Sequence, residues 1–487
     1  MRRSQDKRAL APSCRLATRN VDHFGEVPDL ALISYRPSRW RPPLRRPSPV
    51  GYKPAERSPA GARPVNDLRY SMAVALLAAA AACSSPAPEG TSEGNWTGTI
   101  TAEGDVTTVV NESGSVWGGR ARLVEEASIG VDVGADEYML GRVDSLWATD
   151  EEILVLDTQV PIIRVYDYDG TFLRNIGRGG QGPGEYARPF SIGADAAGRL
   201  FVADPGNGRI SLYSIDGQYL EGWTVGSLWC CVTPMVVTAE GVPYLEVIDP
   251  ETYAGPDGPY SMRAYGPAGP HGPLLLAPDL EVPDHRFRLG DRRPLAKFAP
   301  TVTWVLATDG TVITGASHEY RFEMRRPDGS VTVVERHYEP LPIDPDERDW
   351  WRRYFIAIYR RGQEGWTWDG AEMPATKPAF TGFWPTAGGD IWVIRPGPGR
   401  RLPQCDPNAD VNDHAAFQAA SCWGETELVD VFGSDGRFLG PLDVPEEGNL
   451  RFAMPWVRGD TVITSLYDDS GTIMVKRYRL VPPGEPG

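Results

Sequence analysis

Two stretches of this chain repeat one another at a fixed spacing. Ile153-Leu-Val-Leu-Asp157 leads to Val165-Tyr-Asp-Tyr-Asp169-Gly170-Thr-Phe172-Leu173, and Leu200-Phe-Val-Ala-Asp204 leads to Leu212-Tyr-Ser-Ile-Asp216-Gly217-Gln-Tyr219-Leu220. Asp157 and Asp204, Asp169 and Asp216, and Leu173 and Leu220 are each 47 residues apart. Both copies alternate with period two and place Asp-Gly between strand-like runs, the signature of a hairpin. The repeating unit is a small antiparallel meander, and a unit this small buries its apolar faces only against its neighbours.

A turn glycine followed by an apolar strand recurs at Gly198, Gly241, Gly310, Gly389 and Gly459, which with the copy at Glu151 makes six. Six such units predict an all-β fold, a six-bladed β-propeller, over residues 116–482. Ile129-Gly130 lies one offset before Ile176-Gly177, while the last copy stops at Leu480, one strand short. A strand near Arg122–Ala127 is therefore expected to complete the last blade and close the ring. Residues 84–115 read as a flexible linker and 483–487 as a tail.

The composition agrees, with 53 Gly and 45 Pro against 15 Trp and 19 Tyr, as short strands, many turns and aromatic packing require. Residues 1–82 carry 15 Lys/Arg and 6 Asp/Glu, whereas the rest carries 34 and 59. An acidic body of this kind excludes a nucleic-acid partner. Residues 1–64 are Arg/Pro-rich without strand or helix period, and read as a disordered basic arm or as translation upstream of the true start. Residues 65–83 have the layout of a signal peptide: Arg69, the apolar run Met72–Ala82, then Cys83. Eleven apolar residues are too few to span a bilayer.

Residues 72–86 resemble a bacterial lipoprotein signal, with Ala80 where that pattern usually has Leu, which implies lipidation at Cys83 and a place in the periplasm or on the cell surface. Pro189-Phe-Ser-Ile-Gly-Ala-Asp195, Gly198-Arg-Leu-Phe-Val-Ala-Asp204 and Asn207-Gly-Arg209-Ile210 resemble an NHL-type propeller repeat. Gly177-Arg-Gly-Gly-Gln-Gly-Pro-Gly-Glu-Tyr186 resembles the glycine-rich connector of bacterial six-bladed propeller lipoproteins. The likeness covers about two blades, and it implies the fold rather than an activity.

With strands a to d running outward in each blade, the a–b and c–d turns are short here. Insertions fall in b–c and d–a connections, at 246–260, 274–299, 340–379 and 396–422, and so on one face. Within them Asp346–Gly362 predicts a helix with Trp351, Phe355 and Ile358 on its packed side. Gly177-x-Gly179-x-x-Gly182 matches a dinucleotide fingerprint in form, but Pro183-Gly184 prevents the helix that would hold a pyrophosphate, so no nucleotide is expected. Asp406, Asn408, Asp410 and Asn412 alternate like ligands of a hard cation such as calcium, although Val411 stands where the turn glycine belongs and Phe417 where a bidentate Glu is needed. No other cofactor is indicated.

Four cysteines follow Cys83, an even number in an exported chain. Cys405 and Cys422 bracket one insertion and are expected to pair, which leaves Cys230 and Cys231 as a vicinal pair or as thiols. The reading that follows is a lipid-anchored, non-catalytic binding or scaffold module. Its insertion-rich face would meet an envelope protein, peptide or glycan. The alternative is a metal-dependent hydrolase or lyase whose site lies in the propeller channel.

Overall fold

The computed structural model describes residues 94–225, 234–247, 261–276, 278–290, 292–413, 417, 421–445, 454–468 and 470–485. The chain enters as a hairpin, β1 (Thr97–Glu103) and β2 (Val106–Ser113), followed by a single strand β3 (Ala121–Ile129). Blade 1 is β4 (Val143–Ala148), β5 (Glu152–Asp157), β6 (Ile162–Asp167) and β7 (Phe172–Ile176). A two-residue parallel pair, β8 (Arg178–Gly179) and β9 (Glu185–Tyr186), braces the glycine-rich connection to blade 2. Blade 2 is β10 (Ser191–Ala194), β11 (Arg199–Asp204), β12 (Arg209–Ser214) and β13 (Tyr219–Thr224). Blade 3 is β14 (Val236–Val237), β15 (Pro243–Val247), β16 (Ser261–Gly266) and β17 (Gly269–Leu276). Blade 4 is β18 (Val302–Leu306), β19 (Val312–Ala316), β20 (Arg321–Arg325) and β21 (Val331–Arg336).

The helix α1 (Pro345–Arg360) precedes blade 5, which is β22 (Gly382–Pro385), β23 (Ile391–Pro396), β26 (Glu427–Phe432) and β27 (Phe438–Asp443). A short pair, β24 (Arg400–Arg401) and β25 (Trp423–Gly424), lies inside its b–c insertion. Blade 6 consists of β28 (Trp456–Arg458), β29 (Thr461–Tyr467), β30 (Ile473–Val481) and, as outer strand, β3. β3 runs antiparallel to β30 from Arg122↔Val481 to Ile129↔Val475.

The b strands explain the uninterrupted apolar runs of the repeat. Ile153, Leu154, Val155 and Leu156 of β5 are all fully buried. Ile153 and Val155 pack with Trp456 and Ile463 of blade 6, while Leu154 and Leu156 pack with Leu200 and Val202 of blade 2. In β11 the alternation continues, Leu200 and Val202 facing blade 1 and Phe201 and Ala203 facing blade 3. Alternate residues of a strand point to opposite faces, so a strand held between two sheets must be apolar at every position.

The repeated Asp residues tie loops to these strands. Asp157 accepts hydrogen bonds from the amides of Gly141 and Arg142 at 3.0 and 3.1 Å and pairs with the Arg164 guanidinium. Asp204 accepts from Ala187 and Arg188, both at 2.9 Å, and from Asn207 Nδ2 at 2.7 Å. Each thus fastens the incoming d–a connection to the end of its b strand.

Residues 97–113 correct the linker expected over 84–115. β2 pairs in parallel with β21, from Val106↔Val331 to Asn111↔Arg336, so blade 4 gains two outer strands. A sequence of Thr, Gly and Ala with few large apolar residues reads as a linker, yet an outermost strand needs only one covered face. Past the hairpin, the amides of Val116 and Trp117 donate to Phe438 and Leu439 carbonyls at 3.0 and 2.8 Å. Residues 97–129 therefore run along the outer strands of blades 4, 5 and 6 in turn.

Asn111 joins three of these pieces. Its Oδ1 accepts from the Phe438 amide at 2.7 Å and Trp96 Nε1 at 2.8 Å, while its Nδ2 donates to the Glu335 and Gly436 carbonyls, both at 3.1 Å. All four bonding positions of the amide are filled, and the residue is 3% exposed. Asn111→Leu strands these partners without replacements, so urea unfolding should show a loss of about 1–3 kcal/mol.

Candidate functional site

The insertions leave the ring from one end. Residues 274–299 join blades 3 and 4, residues 340–379 join blades 4 and 5, and residues 396–422 join the b and c strands of blade 5. Residues 248–260, most of the fourth insertion, lie outside the described residues.

Three insertions share a second core centred on α1. Asp344 caps the helix by accepting from the Asp346 amide at 2.8 Å, Pro345 opens it, and Asp346 and Glu347 complement the helix dipole in the first turn. The chain leaves at Arg361-Gly362, where the Gly362 amide reaches the Tyr359 carbonyl at 3.1 Å. Its buried side holds Glu347, Trp350, Trp351, Tyr354, Phe355 and Ala357, broader than the expected stripe, with Ile358 only half-buried. Phe287 lies 5.5 Å from Phe355 and 4.6 Å from Trp368 between ring centroids, and Trp350 stacks on Phe417 at 5.9 Å. Aromatic pairs at such distances add to the burial of apolar area. Cys405 and Cys422 form a disulfide at the foot of the 396–422 insertion.

Beneath this cap lie two buried ion pairs. Lys377 Nζ is 3.0 Å from Glu347 Oε1 and donates to the Gly397 carbonyl at 2.9 Å. Lys297 pairs with Glu425 and lies 4.5 Å from the Trp351 ring centroid, and Lys377 lies 4.6 Å from that of Phe298. Desolvation raises the Glu347 carboxyl above its ordinary range, opposed chiefly by the Lys377 charge. The four residues come from separate parts of the sequence, and motif reading missed them. A signal was present: only five lysines occur against 44 arginines, and two of the three beyond residue 82 are these. A compact ammonium fits between a carboxylate and a carbonyl where a planar guanidinium would not.

A second charged group spans blades 4 and 5. Asp430, on β26, accepts from Tyr320 Oη at 2.6 Å and Arg395 Nη1 at 3.1 Å and also pairs with Arg336. Arg336 lies over the Phe438 ring at 3.8 Å. Burial, with the Asp430 charge next, pushes the Tyr320 phenol well above its ordinary value. Two arginines on one carboxylate leave an excess positive charge below the cap.

The candidate cation ligands are engaged locally. Asp406 Oδ1 accepts from the Asn408 amide at 2.9 Å, and Asp410 Oδ1 accepts from the Asn412 amide and Nδ2 at 2.9 and 2.8 Å. Arg360 donates to Asn412 Oδ1 at 2.8 Å, and Arg353 donates to the Ala409 carbonyl at 2.6 Å. Among the described residues no three His, Cys, Asp or Glu side chains are grouped as a metal site. Cys83, Cys230 and Cys231 lie outside the described residues. The glycine-rich connection is held by Asn207, which donates to the Gly180 and Glu185 carbonyls, both at 3.2 Å. On the opposite face, a cleft of about 240 Å³ is lined by Thr308, Asp309, Arg326, Thr386 and Ser434. Arg326 there is held by Thr332 Oγ1 at 2.9 Å and the Ser434 carbonyl at 2.7 Å.

These features define a six-bladed propeller that carries a packed cap on one face. A family model described as a 6-bladed beta-propeller matches residues 133–240, all of blades 1 and 2 and the first strand of blade 3. No curated protein matches the sequence. Among solved structures, a member of the duf4221 family from Bacteroides vulgatus is 10% identical, covers 75% of this chain and 99% of its own, and superposes with a TM-score of 0.44. Virginiamycin B lyase from Staphylococcus aureus is 8% identical over 70% and 95% of the two chains, with a TM-score of 0.34. A gluconolactonase from Xanthomonas campestris is 16% identical over 74% and 90%, with a TM-score of 0.30. Alignments this loose bear on neither substrate nor activity.

Removing one partner of a buried ion pair leaves the other uncompensated. Lys377→Met should destabilise the protein by about 3–5 kcal/mol at pH 7, and Glu347→Gln added to it should restore most of the loss. Without Lys377 the folded-state pKa of Glu347 rises further above its unfolded value. Stability is then retained below the unfolded value, near 4.5, and falls as pH climbs towards the folded one. Unfolding curves at pH 4 and pH 7 should therefore show the smaller defect at pH 4.

Proposed function

We propose that this chain is an exported, lipid-anchored propeller that serves as a non-catalytic binding or scaffold module in a bacterial envelope. The cap face would be its contact surface for a protein, peptide or glycan. The observation that carries this reading is the separation of charge. Residues 274–299, 340–379 and 396–422 hold 13 Lys/Arg and 14 Asp/Glu, whereas the whole of 83–487 holds 34 and 59. The cap is thus close to neutral on a strongly acidic body, and rich in Arg, one of the residue types that dominate binding interfaces. The carboxylates beneath it support the same reading, because Glu347 and Glu425 are paired with lysines, and Asp430 between blades 4 and 5 with two arginines and a tyrosine. A body of like charge elsewhere would steer an acidic partner to this face.

Among the described residues no helix is long and apolar enough to cross a membrane. The proposed attachment is a lipid on Cys83, a reading that rests on the signal-like sequence of residues 72–86. Cys83→Ala should move the protein from the membrane to the soluble fraction; unchanged association would overturn the anchor. For the contact surface, a photo-crosslinking residue at the exposed helix position Arg352 should capture an envelope component, and charge reversal at Arg361 should abolish capture. The same residue at the opposite-face turn position Ser330 should capture nothing. A stoichiometric metal whose removal abolishes turnover of lactones or esters would instead favour the hydrolase or lyase.

A further inference from the structure

The outer strands of this ring differ in how they are protected. β7 carries Arg174, held by Glu152 at 2.8 Å, and its pairing with β6 is bulged. β13 contains Glu221 and Gly222 and is likewise bulged, and β17 contains Pro270 and Pro273 with a register shift. β3 has Arg122, Glu125 and Glu126 and a bulge. Charges, prolines and bulges are the devices that stop one sheet edge pairing with another. β1 is the least guarded: its central Gly98-Thr-Ile-Thr-Ala102 has no charge and no proline, and its one charge, Glu103, and its register shift, between Thr97 and Gly98, lie at its two ends. Among the described residues nothing pairs with its far side, and Ile100 is 55% exposed.

The hydrogen-bonding parity of β1 follows from its neighbours. The Asp105 and Asn111 carbonyls accept from Val331 and His337, so the odd-numbered residues of β2 face β21 and the even-numbered ones face β1. Val106, Thr108 and Val110 lie opposite Glu103, Thr101 and Thr99. These three residues of β1 are turned inward, and the N–H and C=O groups of Gly98, Ile100 and Ala102 point away from the sheet. Gly104, with φ of 59°, fits the first central position of a two-residue type II′ turn, which makes Glu103 and Val106 the closing bonded pair and gives the same parity.

The strand is also self-complementary. We propose that the chain dimerises through β1, two copies lying antiparallel about a two-fold axis at Ile100 and merging two six-stranded sheets into one of twelve. In that register Ile100 of each copy meets Ile100 of the other, and Gly98 meets Ala102. Each of these pairs exchanges two hydrogen bonds between groups that already point outward. Thr99 of one copy sits beside Thr101 of the other in a non-bonded pair. Glu103 meets Thr97, so no like charges are opposed. An isologous contact of this kind closes at two and does not propagate.

Sedimentation velocity of the full chain should give the mass of two copies, and Ile100→Pro should halve it. That substitution removes an N–H pointing away from β2, which an edge strand tolerates, so its thermal unfolding should match that of the parent chain. In the full-length Thr99→Cys/Thr101→Cys variant, a disulfide-linked dimer should appear on a non-reducing gel and disappear when Ile100→Pro is added. A parent chain that sediments as a single copy, or a crosslink that survives Ile100→Pro, would overturn the proposal.

Discussion

Burial of the b strands on both faces is the constraint from which the rest follows. Ile153 and Val155 need blade 6 and Leu154 and Leu156 need blade 2, so no blade satisfies its own inner strand. An open row of such blades would leave one apolar face in water at each end, and a ring removes both ends at once. The pairing of β3 with β30 takes part in that solution, since Ile129 of β3 and Val475 of β30 belong to the apolar cluster that holds Ile153. The contact between blades 6 and 1 is itself made by Trp456 and Ile463 against Ile153 and Val155.

What could be read from the sequence divides along the range of the interactions involved. The repeat, the Asp-Gly turns, the helix expected over Asp346–Gly362 and the position of the insertions depend on residues near one another, and period and turn chemistry report them. The hairpin at 97–113 escaped because its strands pair at an outer edge, where Thr and Ala serve and apolar alternation is not demanded. The Lys377–Glu347 pair spans 30 residues, and Lys297–Glu425 joins the 274–299 insertion to the residue run that leads into β26. No spacing rule connects such positions. Their trace lay in composition, in the choice of lysine by a chain that otherwise uses arginine. The helix was legible in its ends but not in its full contact surface, since Trp350 is covered by Phe417 from another insertion.

The same separation of ranges describes the cap. Its aromatic cluster, disulfide and paired charges give it a core independent of the blade interfaces, so its outer surface can vary without disturbing the ring. Buried ion pairs contribute little net stability in general, because desolvation opposes the Coulomb attraction. What Lys377 does supply is position: it bonds at once to Glu347 on α1 and to Gly397 at the exit of β23, fixing the helix to blade 5.

The strap that enters at β1 runs along the part of the ring that carries the largest insertions. Blades 4 and 5 bear the 340–379 and 396–422 insertions, and the Asp430 cluster with Asn111 holds these two blades together. Asn111 belongs to the strap, Asp430 and Phe438 to blade 5, Tyr320, Arg336 and Glu335 to blade 4, so strap and cap brace one interface from its outer and insertion-bearing sides. Lys377 couples helix α1 to blade 5 on the insertion-bearing side. The strap ties blade 5 to blade 4 along the outer edge, since Asn111 bonds at once to Glu335 of blade 4 and to Phe438 of blade 5.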